Sequence, residues 1–375
     1  MLSQAEAKDV HAAPHHHLNL PLQLPGFHQE LSVESLSKRF RIGDPDACLS
    51  NVVKIAKQCG VPRVSRQQVV TYRAPQDSQA TGQGSYGSVL LHCTLDKTER
   101  AVLKDFTDPA LHRRLRYCAV ELYMNTMAHL AAPTTVVPCL GYGAQICPDQ
   151  SIYAFLIMKY GGETLTDFLT SRGSRIPIQA MRQLVIDLFR GISDLHAAGI
   201  VHGDLKGNNV LVQENLIDVG GHSLKIIDFG LSCFHRSDSK APLPPVSLPS
   251  ETWKPSHTAP ESSFANKTTY SDIWACGGLA MQILMASRLS WKDMMKLANC
   301  SPVDNKRRFS PWKEDSSVSK QLTLLVNSCF DFNPAKRPTA SKLHSTFNAS
   351  RIQKCSAGKG VDPHERLVPG HFNTL

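Results

Sequence analysis

Two acids and an asparagine near the middle of the chain have the types and the spacing for chemistry on phosphate groups. Residues 201–212 read Val-His-Gly-Asp-Leu-Lys-Gly-Asn-Asn-Val-Leu-Val, and 224–231 read Leu-Lys-Ile-Ile-Asp-Phe-Gly-Leu. This order predicts that Asp204, Asn209 and Asp228 lie on adjacent loops. Carboxylate and amide oxygens are ligands that Mg²⁺ prefers, and phosphoryl transfer needs such oxygens around the metal and the nucleophile.

Each polar residue of the two loops has a mechanistic interpretation. Asp204 is placed to orient an attacking hydroxyl and accept its proton, and Lys206 to balance charge on the transferring group. Asn209 would hold one Mg²⁺ through its amide oxygen, and Asp228 would chelate the Mg²⁺ that bridges the phosphates. Any one of these acids alone would more often cap a turn, so the prediction depends on the whole set in this order.

The elements that must position these loops are mainly helices. An apolar stripe at spacings of three and four predicts a buried helix that leads into the loop at His202. The stripe consists of Met181, Leu184, Leu188, Ile192 and Leu195. Two further apolar helices are predicted at 272–288 and 320–330.

The preceding part of the chain has a strand-like pattern instead. Short apolar runs rich in β-branched residues predict three consecutive antiparallel strands, at 69–72, 88–93 and 101–104. A helix at 109–130 and a strand at 151–160 follow. This pattern predicts a small sheet with one helix.

A glycine-rich run lies between the first two predicted strands and matches G-x-G-x-x-G-x-V. It consists of Gly82, Gln83, Gly84, Ser85, Tyr86, Gly87, Ser88 and Val89. Glycines let the backbone approach phosphate oxygens closely and direct N–H groups at them. A flexible hairpin is the alternative. A dinucleotide-binding loop would need a helix directly afterwards, whereas 89–91 continues as strand.

Lys104 and Glu121 are isolated charges in apolar surroundings. Lys104 ends the run Ala-Val-Leu-Lys, and Glu121 lies in the predicted helix. A solvated lysine at a strand end is the alternative. An ion pair between the two residues would hold the ammonium where it can neutralise nucleotide phosphates.

Composition limits the classes of protein to be considered. The chain has 375 residues and a net charge of +9 without a long basic run, so binding to nucleic acid is not expected. The 11 cysteines form no Cys-x-x-Cys pair, which is typical of reduced thiols in the cytosol or nucleus. No secretory leader, no membrane-spanning segment and no membrane partner are expected.

Taken together, these motifs resemble those of eukaryotic-type protein kinases over residues 71–346. The resemblance is carried by the glycine loop, Lys104, Glu121, His202-Gly-Asp204, Lys206, Asn209, Asp228-Phe-Gly230, Ala259-Pro-Glu261, Asp272-Ile-Trp-Ala-Cys-Gly277 and Arg337. It implies an α+β, bilobal fold with a small antiparallel sheet and one helix in the N-lobe and a larger, mainly helical C-lobe.

The resemblance also implies domain limits. These are an N-terminal extension at 1–70, partly disordered; a kinase domain at 71–347; and a C-terminal tail at 348–375. Within the domain, the N-lobe spans 71–158, the hinge 159–161 and the C-lobe 162–347.

Further site residues follow from the resemblance alone. Met158 would be the gatekeeper, Lys159 to Gly161 the hinge that binds adenine, and His202 and Phe229 part of a stacked spine. The nucleotide would also contact Val102, Tyr160 and Leu211. The implied cofactors are ATP and Mg²⁺ (or Mn²⁺), the implied partners are protein substrates, and Lys206 is similar to the Ser/Thr-specific pattern.

Gly203 stands where the commonest form of the motif has Arg. His-Gly-Asp also occurs in kinase-like small-molecule phosphotransferases, such as aminoglycoside and choline kinases, and in small atypical kinases. A pseudokinase that only binds is a third hypothesis. Glu261 and Arg337 resemble the buried ion pair of the protein-kinase substrate platform, which favours a protein substrate.

The loss of Arg at 203 has a second implication. In protein kinases that arginine grips a phosphate on the activation segment, so activity without loop phosphorylation is expected here. The divergent loop, the short hinge and a Pro-rich segment at 242–249 resemble kinases encoded by large DNA viruses such as fish or amphibian herpesviruses. The expected location is the cytoplasm or nucleus, of the host cell if the protein is viral. The oligomeric state stays open.

Overall fold

The structure is a computed structural model, and it describes most of the chain. The described residues are 45–65, 82–84, 87–93, 100–106, 113–146, 152–215, 221–235, 258–262, 267–286 and 320–357. The predicted strand at 69–72 and the Pro-rich segment at 242–249 lie outside these ranges.

A five-stranded antiparallel sheet occupies the first half of the described chain, in the order β1-β2-β3-β5-β4. Its strands are β1 Gly82–Gly84, β2 Gly87–Cys93, β3 Arg100–Asp105, β4 Cys139–Ile146 and β5 Ile152–Lys159. The predicted strands at 88–93, 101–104 and 151–160 are therefore confirmed.

Strand β4 was not predicted, because glycines interrupt its apolar pattern. A Cβ atom at Gly143 would lie 2.0 Å from the ring of Phe155 on β5, so glycine leaves room for that ring where the two strands pair. β4 is the edge strand of the sheet.

Two helices accompany the sheet. Helix α1 spans Pro45–Gln58 and helix α2 spans Arg113–Ala131. The helix predicted at 109–130 is thus confirmed as α2. Helix α1 lies within the segment predicted as an N-terminal extension, and its packing against α2 was not predicted.

The second half of the described chain is mainly helical. Its helices are α3 Leu165–Arg172, α4 Ile178–Ala197, α5 Thr269–Met285, α6 Lys320–Ser328 and α7 Ala340–Ala357. Helix α4 confirms the predicted apolar stripe, all five residues of which are buried. Helices α5 and α6 confirm the predictions at 272–288 and 320–330, with ends that differ by a few residues. Helix α7 extends beyond 348, so the predicted tail begins within a helix.

Helix α5 begins with a capping box formed by Thr268 and Ser271. The Thr268 hydroxyl accepts the Ser271 backbone N–H at 3.2 Å, and the Ser271 hydroxyl accepts the Thr268 N–H at 3.0 Å. These reciprocal bonds satisfy donors that the first turn of a helix leaves without partners. They fix the start of the helix that carries Asp272.

Short strands connect the two loops that carry the predicted site. β6 Glu163–Thr164, β8 Val210–Asn215 and β9 Gly221–Ile226 form a three-stranded sheet, and β7 Ile200–Val201 pairs with β10 Cys233–Phe234. Val210 pairs with Ile226 in the antiparallel register of β8 and β9. Because Asn209 precedes β8 and Asp228 follows β9, this register brings the two residues to the same end of the sheet.

The described structure therefore combines helices with small antiparallel sheets, in line with the α+β prediction. None of the helices in the described ranges is long and apolar enough to cross a membrane.

Candidate active site

Two side chains of the loop at 202–209 converge on Asp204 of the same loop. The Asn209 amide nitrogen donates to the Asp204 backbone carbonyl at 2.8 Å and to its carboxylate Oδ2 at 3.0 Å. The Lys206 ammonium donates to the same Oδ2 at 2.8 Å. The structure thus brings Asp204, Lys206 and Asn209 together, as predicted. With its nitrogen bonded to Asp204, Asn209 directs its amide oxygen elsewhere.

Asp272 anchors this loop from helix α5. Its carboxylate accepts the backbone N–H groups of His202 at 2.8 Å and Gly203 at 2.9 Å, and it lies 3.1 Å from His196 Nε2. Burial would raise the pKa of Asp272, but the bond from His196, the nearby histidines and the Gly203 N–H together lower it below its ordinary value. This anchoring role was not predicted, although Asp272 belonged to the motif quoted above.

His202 connects the two loops of the site. The backbone N–H of Asp204 donates to His202 Nδ1 at 3.2 Å, and His202 Nε2 lies 3.0 Å from the carbonyl oxygen of Ile227. Both contacts form hydrogen bonds when the ring proton is on Nε2. The ring also packs on Phe229, with centroids 5.0 Å apart. The predicted contact between His202 and Phe229 is confirmed.

Asp228 has a left-handed backbone conformation, with φ of 68°. Such a value is uncommon for a residue other than glycine and clusters at functional sites. Its carboxylate Oδ1 accepts from the Lys104 ammonium at 3.0 Å. Burial would raise the pKa of Asp228, but Lys104 lowers it, so this group remains a carboxylate.

Lys104 and Glu121 form the predicted ion pair. Lys104 Nζ donates to both carboxylate oxygens, at 2.8 and 2.6 Å, and the side chains are 13% and 4% exposed. Burial would lower the pKa of Lys104, but Glu121 and Asp228 raise it above its ordinary value. Burial raises the pKa of Glu121 to about 7, although Lys104 opposes that shift. Lys104 therefore carries a positive charge between two acids.

Three of the predicted nucleotide-binding residues lie on strands, Val102 on β3, Met158 on β5 and Leu211 on β8. Val102 on β3 pairs with Met158 on β5. A Cβ atom at Gly161 would lie 2.8 Å from the Leu211 side chain, so the hinge backbone passes directly over Leu211. The Tyr160 backbone N–H donates to the Arg100 carbonyl at 3.0 Å, and the Arg100 guanidinium lies 4.7 Å from the Tyr160 ring.

The glycine-rich run forms the end of a hairpin in the sheet. Gly82 pairs with Val89, and Gly84 with Gly87. The backbone of the predicted phosphate loop thus continues from strand to strand without a helix, as predicted. Ser85 and Tyr86 lie outside the described residues.

The structure gives a steric reason for glycine at position 203 that was not predicted. Gly203 has a φ of 75°, and a Cβ atom there would lie 2.5 Å from Lys267 Cδ and 3.0 Å from the Leu231 carbonyl oxygen. The Lys267 ammonium donates to that same carbonyl at 3.4 Å. A lysine from the loop before α5 therefore occupies the space beside the glycine. No motif spacing marks Lys267 in the sequence.

Glu261 and Arg337 form the second predicted ion pair. The guanidinium donates to both carboxylate oxygens, at 2.5 and 2.8 Å, and the Arg337 side chain is fully buried. Arg337 also donates to the carbonyls of Tyr270 and Asp331, and it stacks over the Trp274 ring. The segment at 258–262 is thereby tied to helix α5 and the 3₁₀ turn at Pro334–Lys336.

The oxygen donors at Asn209 and Asp228 fit a Mg²⁺ site. In the described part of the chain, no group of three or more His, Cys, Asp or Glu residues could hold a metal ion. Mg²⁺ does not require such a cage, because it is commonly bound by one or two protein oxygens together with water and substrate phosphates. The pair at this end of β8 and β9 therefore matches the chemistry of Mg²⁺ bound with a nucleotide.

Sequence comparison finds one family over most of the chain. The model of the protein kinase domain family matches residues 76–347. Tyrosine-protein kinase Fer of Rattus norvegicus is 23% identical over 79% of this chain. Serine/threonine-protein kinase BCK1/SLK1/SSP31 of Saccharomyces cerevisiae is 24% identical over 70%, and CBL-interacting protein kinase 20 of Oryza sativa is 27% identical over 59%. These matches cover 34%, 17% and 46% of the respective relatives.

Proposed function

This chain belongs to the protein kinase family, and we propose that it transfers the γ-phosphoryl group of ATP to serine and threonine hydroxyls of proteins. The observation that carries the proposal is the continuous set of contacts from Glu121 through Lys104 to Asp228, beside the folded loop of Asp204. Each charged group that the reaction needs has a defined partner. The fold of the proposed enzyme is two-lobed, with the hinge at 159–161.

The residues divide the work between binding and proton transfer. Lys104 is proposed to neutralise the α- and β-phosphates, while Glu121 fixes its position. Asn209 and Asp228 would hold Mg²⁺, which supplies charge neutralisation on the phosphates when bound. Asp204 orients the substrate hydroxyl and accepts its proton, and Lys206 balances charge on the transferring group.

A protein substrate is favoured over a small molecule by the second ion pair. The Glu261 and Arg337 side chains are buried and bonded to each other, and Arg337 also donates to the Tyr270 carbonyl and stacks on Trp274. These contacts support a fixed platform next to the loop of Asp204. A small-molecule phosphotransferase and a binding module without activity are the alternatives. Among the relatives named above are both tyrosine and serine/threonine kinases, and Lys206 supports the second class.

Activity without phosphorylation of the activation segment is part of the proposal. Gly203 offers no side chain to grip a phosphate, and Lys267 already contacts the Leu231 carbonyl at the start of that segment. A cation is thus present beside the segment before any modification. Treatment of the purified protein with phosphatase should leave the rate within about twofold.

The proposed location is the cytoplasm or nucleus. The cysteines whose side chains the structure describes are free thiols, namely Cys59, Cys118, Cys139, Cys233, Cys276 and Cys329, which supports a reducing compartment. An origin in a large DNA virus stays a prediction from the sequence.

The test is incubation of the purified chain with γ-labelled ATP and a cell lysate, followed by identification of the labelled residue type. We expect label on serine and threonine, with loss of label in Lys104→Met, in Asp204→Asn and on chelation of divalent cations. Lys342→Met, an exposed lysine on α7, is the matched control. Label on tyrosine alone would overturn the assignment to serine and threonine. Label in both site variants equal to the parent would overturn the catalytic proposal.

A further inference from the structure

Helix α1 and the residues after it form a docked segment that lies before the part of the chain matched by the kinase family. The match begins at residue 76, whereas the docked segment spans 45–64. It touches two elements of the sheet region, helix α2 and edge strand β4. We propose that this segment, called the brace below, holds helix α2 in the position that keeps Glu121 on Lys104.

The contact with α2 is apolar and buried. Val52, Ile55 and Ala56 lie on one face of α1, with exposures of 0%, 4% and 0%. They belong to the same hydrophobic core as Cys118 and Leu122 of α2. Lys54 and Lys57 of α1 are exposed. This is the pattern of an amphipathic helix that packs on a partner by one face.

The contact with β4 adds backbone hydrogen bonds and so fixes the register of the brace. After a left-handed turn at Gly60, with φ of 66°, the Pro62 carbonyl accepts the Tyr142 N–H at 3.1 Å, and the Val64 N–H donates to the Tyr142 carbonyl at 2.8 Å. The Arg63 guanidinium donates to the Ala144 carbonyl at 2.9 Å. The brace therefore covers an edge strand that would otherwise present unpaired backbone groups.

Helix α1 is the largest described packing partner of α2. Among the described elements, α1 makes the most extensive contacts with α2, ahead of β5, β4 and α4. Glu121 lies on α2, and its partner Lys104 lies on β3, so the ion pair forms only when helix and sheet hold their present relation. A loss of packing on the outer side of α2 would let the helix shift and separate the pair. Such a shift changes activity through a positioning effect rather than through a contact with substrate.

The test uses the full-length chain with Ile55→Ala and Val52→Ala, and with Lys54→Ala as the matched exposed control on the same helix. The rate of phosphorylation and the hydrogen–deuterium exchange of 113–131 are both measured, with exchange in 178–197 as the internal reference. We expect kcat/KM for ATP to fall by roughly tenfold, exchange in α2 to rise and exchange in α4 to stay unchanged. Lys54→Ala should match the parent. Ile55→Val, which keeps most of the packing, should give a smaller change in the same direction if Ile55→Ala proves too unstable to purify.

A double variant separates positioning from simple stabilisation. If the brace acts through Glu121, then Ile55→Ala should lower the residual rate of a Glu121→Gln chain by less than about twofold. A full tenfold further loss, or parent-like exchange in α2 for both brace variants, would overturn the proposal. The inference rests on the proposed function for its kinetic readout, whereas the exchange measurement is independent of that function. If the parent chain has no kinase activity but the brace variants still increase exchange in α2, the proposed function fails and the positioning role of the brace stands.

Discussion

Two groups of charged side chains in the site are held in different ways. The loop of Asp204 is fixed by hydrogen bonds to the backbone, with Asp272 of helix α5 accepting two consecutive N–H groups. The Lys104–Glu121 pair joins the side chains of a strand and a helix that share no other ion pair among the described ones, and Lys104 also contacts Asp228. The loop of Asp204 is therefore held in place by bonds to its backbone, whereas the Lys104–Glu121 pair depends on how α2 packs on the sheet.

The difference indicates which of the two groups depends on the position of helix α2. A group fixed by backbone bonds keeps its geometry unless the helix that anchors it unfolds. A pair that spans two elements responds to anything that moves one of them, including the brace at 45–64. Breaking each group in turn should therefore give distinct signatures in rate and in stability.

The largest expected effect is on rate, from Asp204→Asn. The amide keeps the size and the contacts with Lys206 and Asn209 but cannot accept the hydroxyl proton, so kcat should fall by roughly a thousandfold. Steady-state kinetics at saturating ATP measure this. The exposed Asp167→Asn variant should retain the parental kcat. A loss of less than about tenfold would contradict the role of Asp204.

The next effect is on stability, from Asp272→Asn. The charged acceptor of two backbone N–H groups is lost and an amide N–H faces a donor, so the free energy of unfolding should fall by about 3 kcal/mol. The exposed Glu214→Gln variant serves as control in urea unfolding. The folded pKa of Asp272 lies below the ordinary 3.8, so its contribution is complete above that value and is lost as the pH falls through the folded pKa. The difference between parent and variant should therefore narrow below pH 4.

A smaller effect, mainly kinetic, is expected from Glu121→Gln. Loss of one charge-assisted hydrogen bond to Lys104 corresponds to about 2 kcal/mol, or roughly thirtyfold in kcat/KM for ATP. Removal of the acid also leaves Lys104 with Asp228 as its remaining acidic partner in the described structure. If the loss appeared in stability but not in kinetics, the pair would be a structural contact only.

The smallest effect is expected from Gly203→Ala. The left-handed conformation disfavours alanine by about 1 kcal/mol, and the new methyl group must displace the flexible Lys267 side chain. The melting temperature should fall by a few degrees while the rate stays within about threefold. The double variant with Lys267→Ala should recover part of the loss, because the conflict with Lys267 is then removed while the close approach of the Leu231 carbonyl remains. No recovery would show that the backbone conformation and the Leu231 carbonyl, rather than Lys267, limit this position.

The proximity of the candidate site residues could be predicted from their types and spacing, while their chemical roles stay predictions. Asp204, Lys206, Asn209 and Asp228 lie within two short runs, and the register of β8 and β9 brings those runs together. The ion pair of Lys104 and Glu121 was predictable because an isolated charge in an apolar run requires a partner.

Features that depend on tertiary packing were not predicted. Lys267 and Gly203 come from separate loops, and no periodic pattern in the sequence indicates that they lie side by side. Strand β4 was not predicted because Gly143 stands where an apolar residue is expected. Glycine fits there because the Phe155 ring occupies the space of a side chain. Helix α1 showed a pattern too weak to reveal its docking on α2. In each case the structure of the segment depends on the residues that it packs against, and its own sequence does not identify them.

The close approach of Lys267 to Gly203 has a consequence for the side chains that position 203 can accept. An arginine introduced at 203 would meet both the φ of 75° and the lysine within 2.5 Å of its Cβ atom. A side chain at position 203 would therefore have to displace Lys267, which donates to the Leu231 carbonyl. Substitutions at 203 and 267 are thus expected to act on stability as a pair rather than independently.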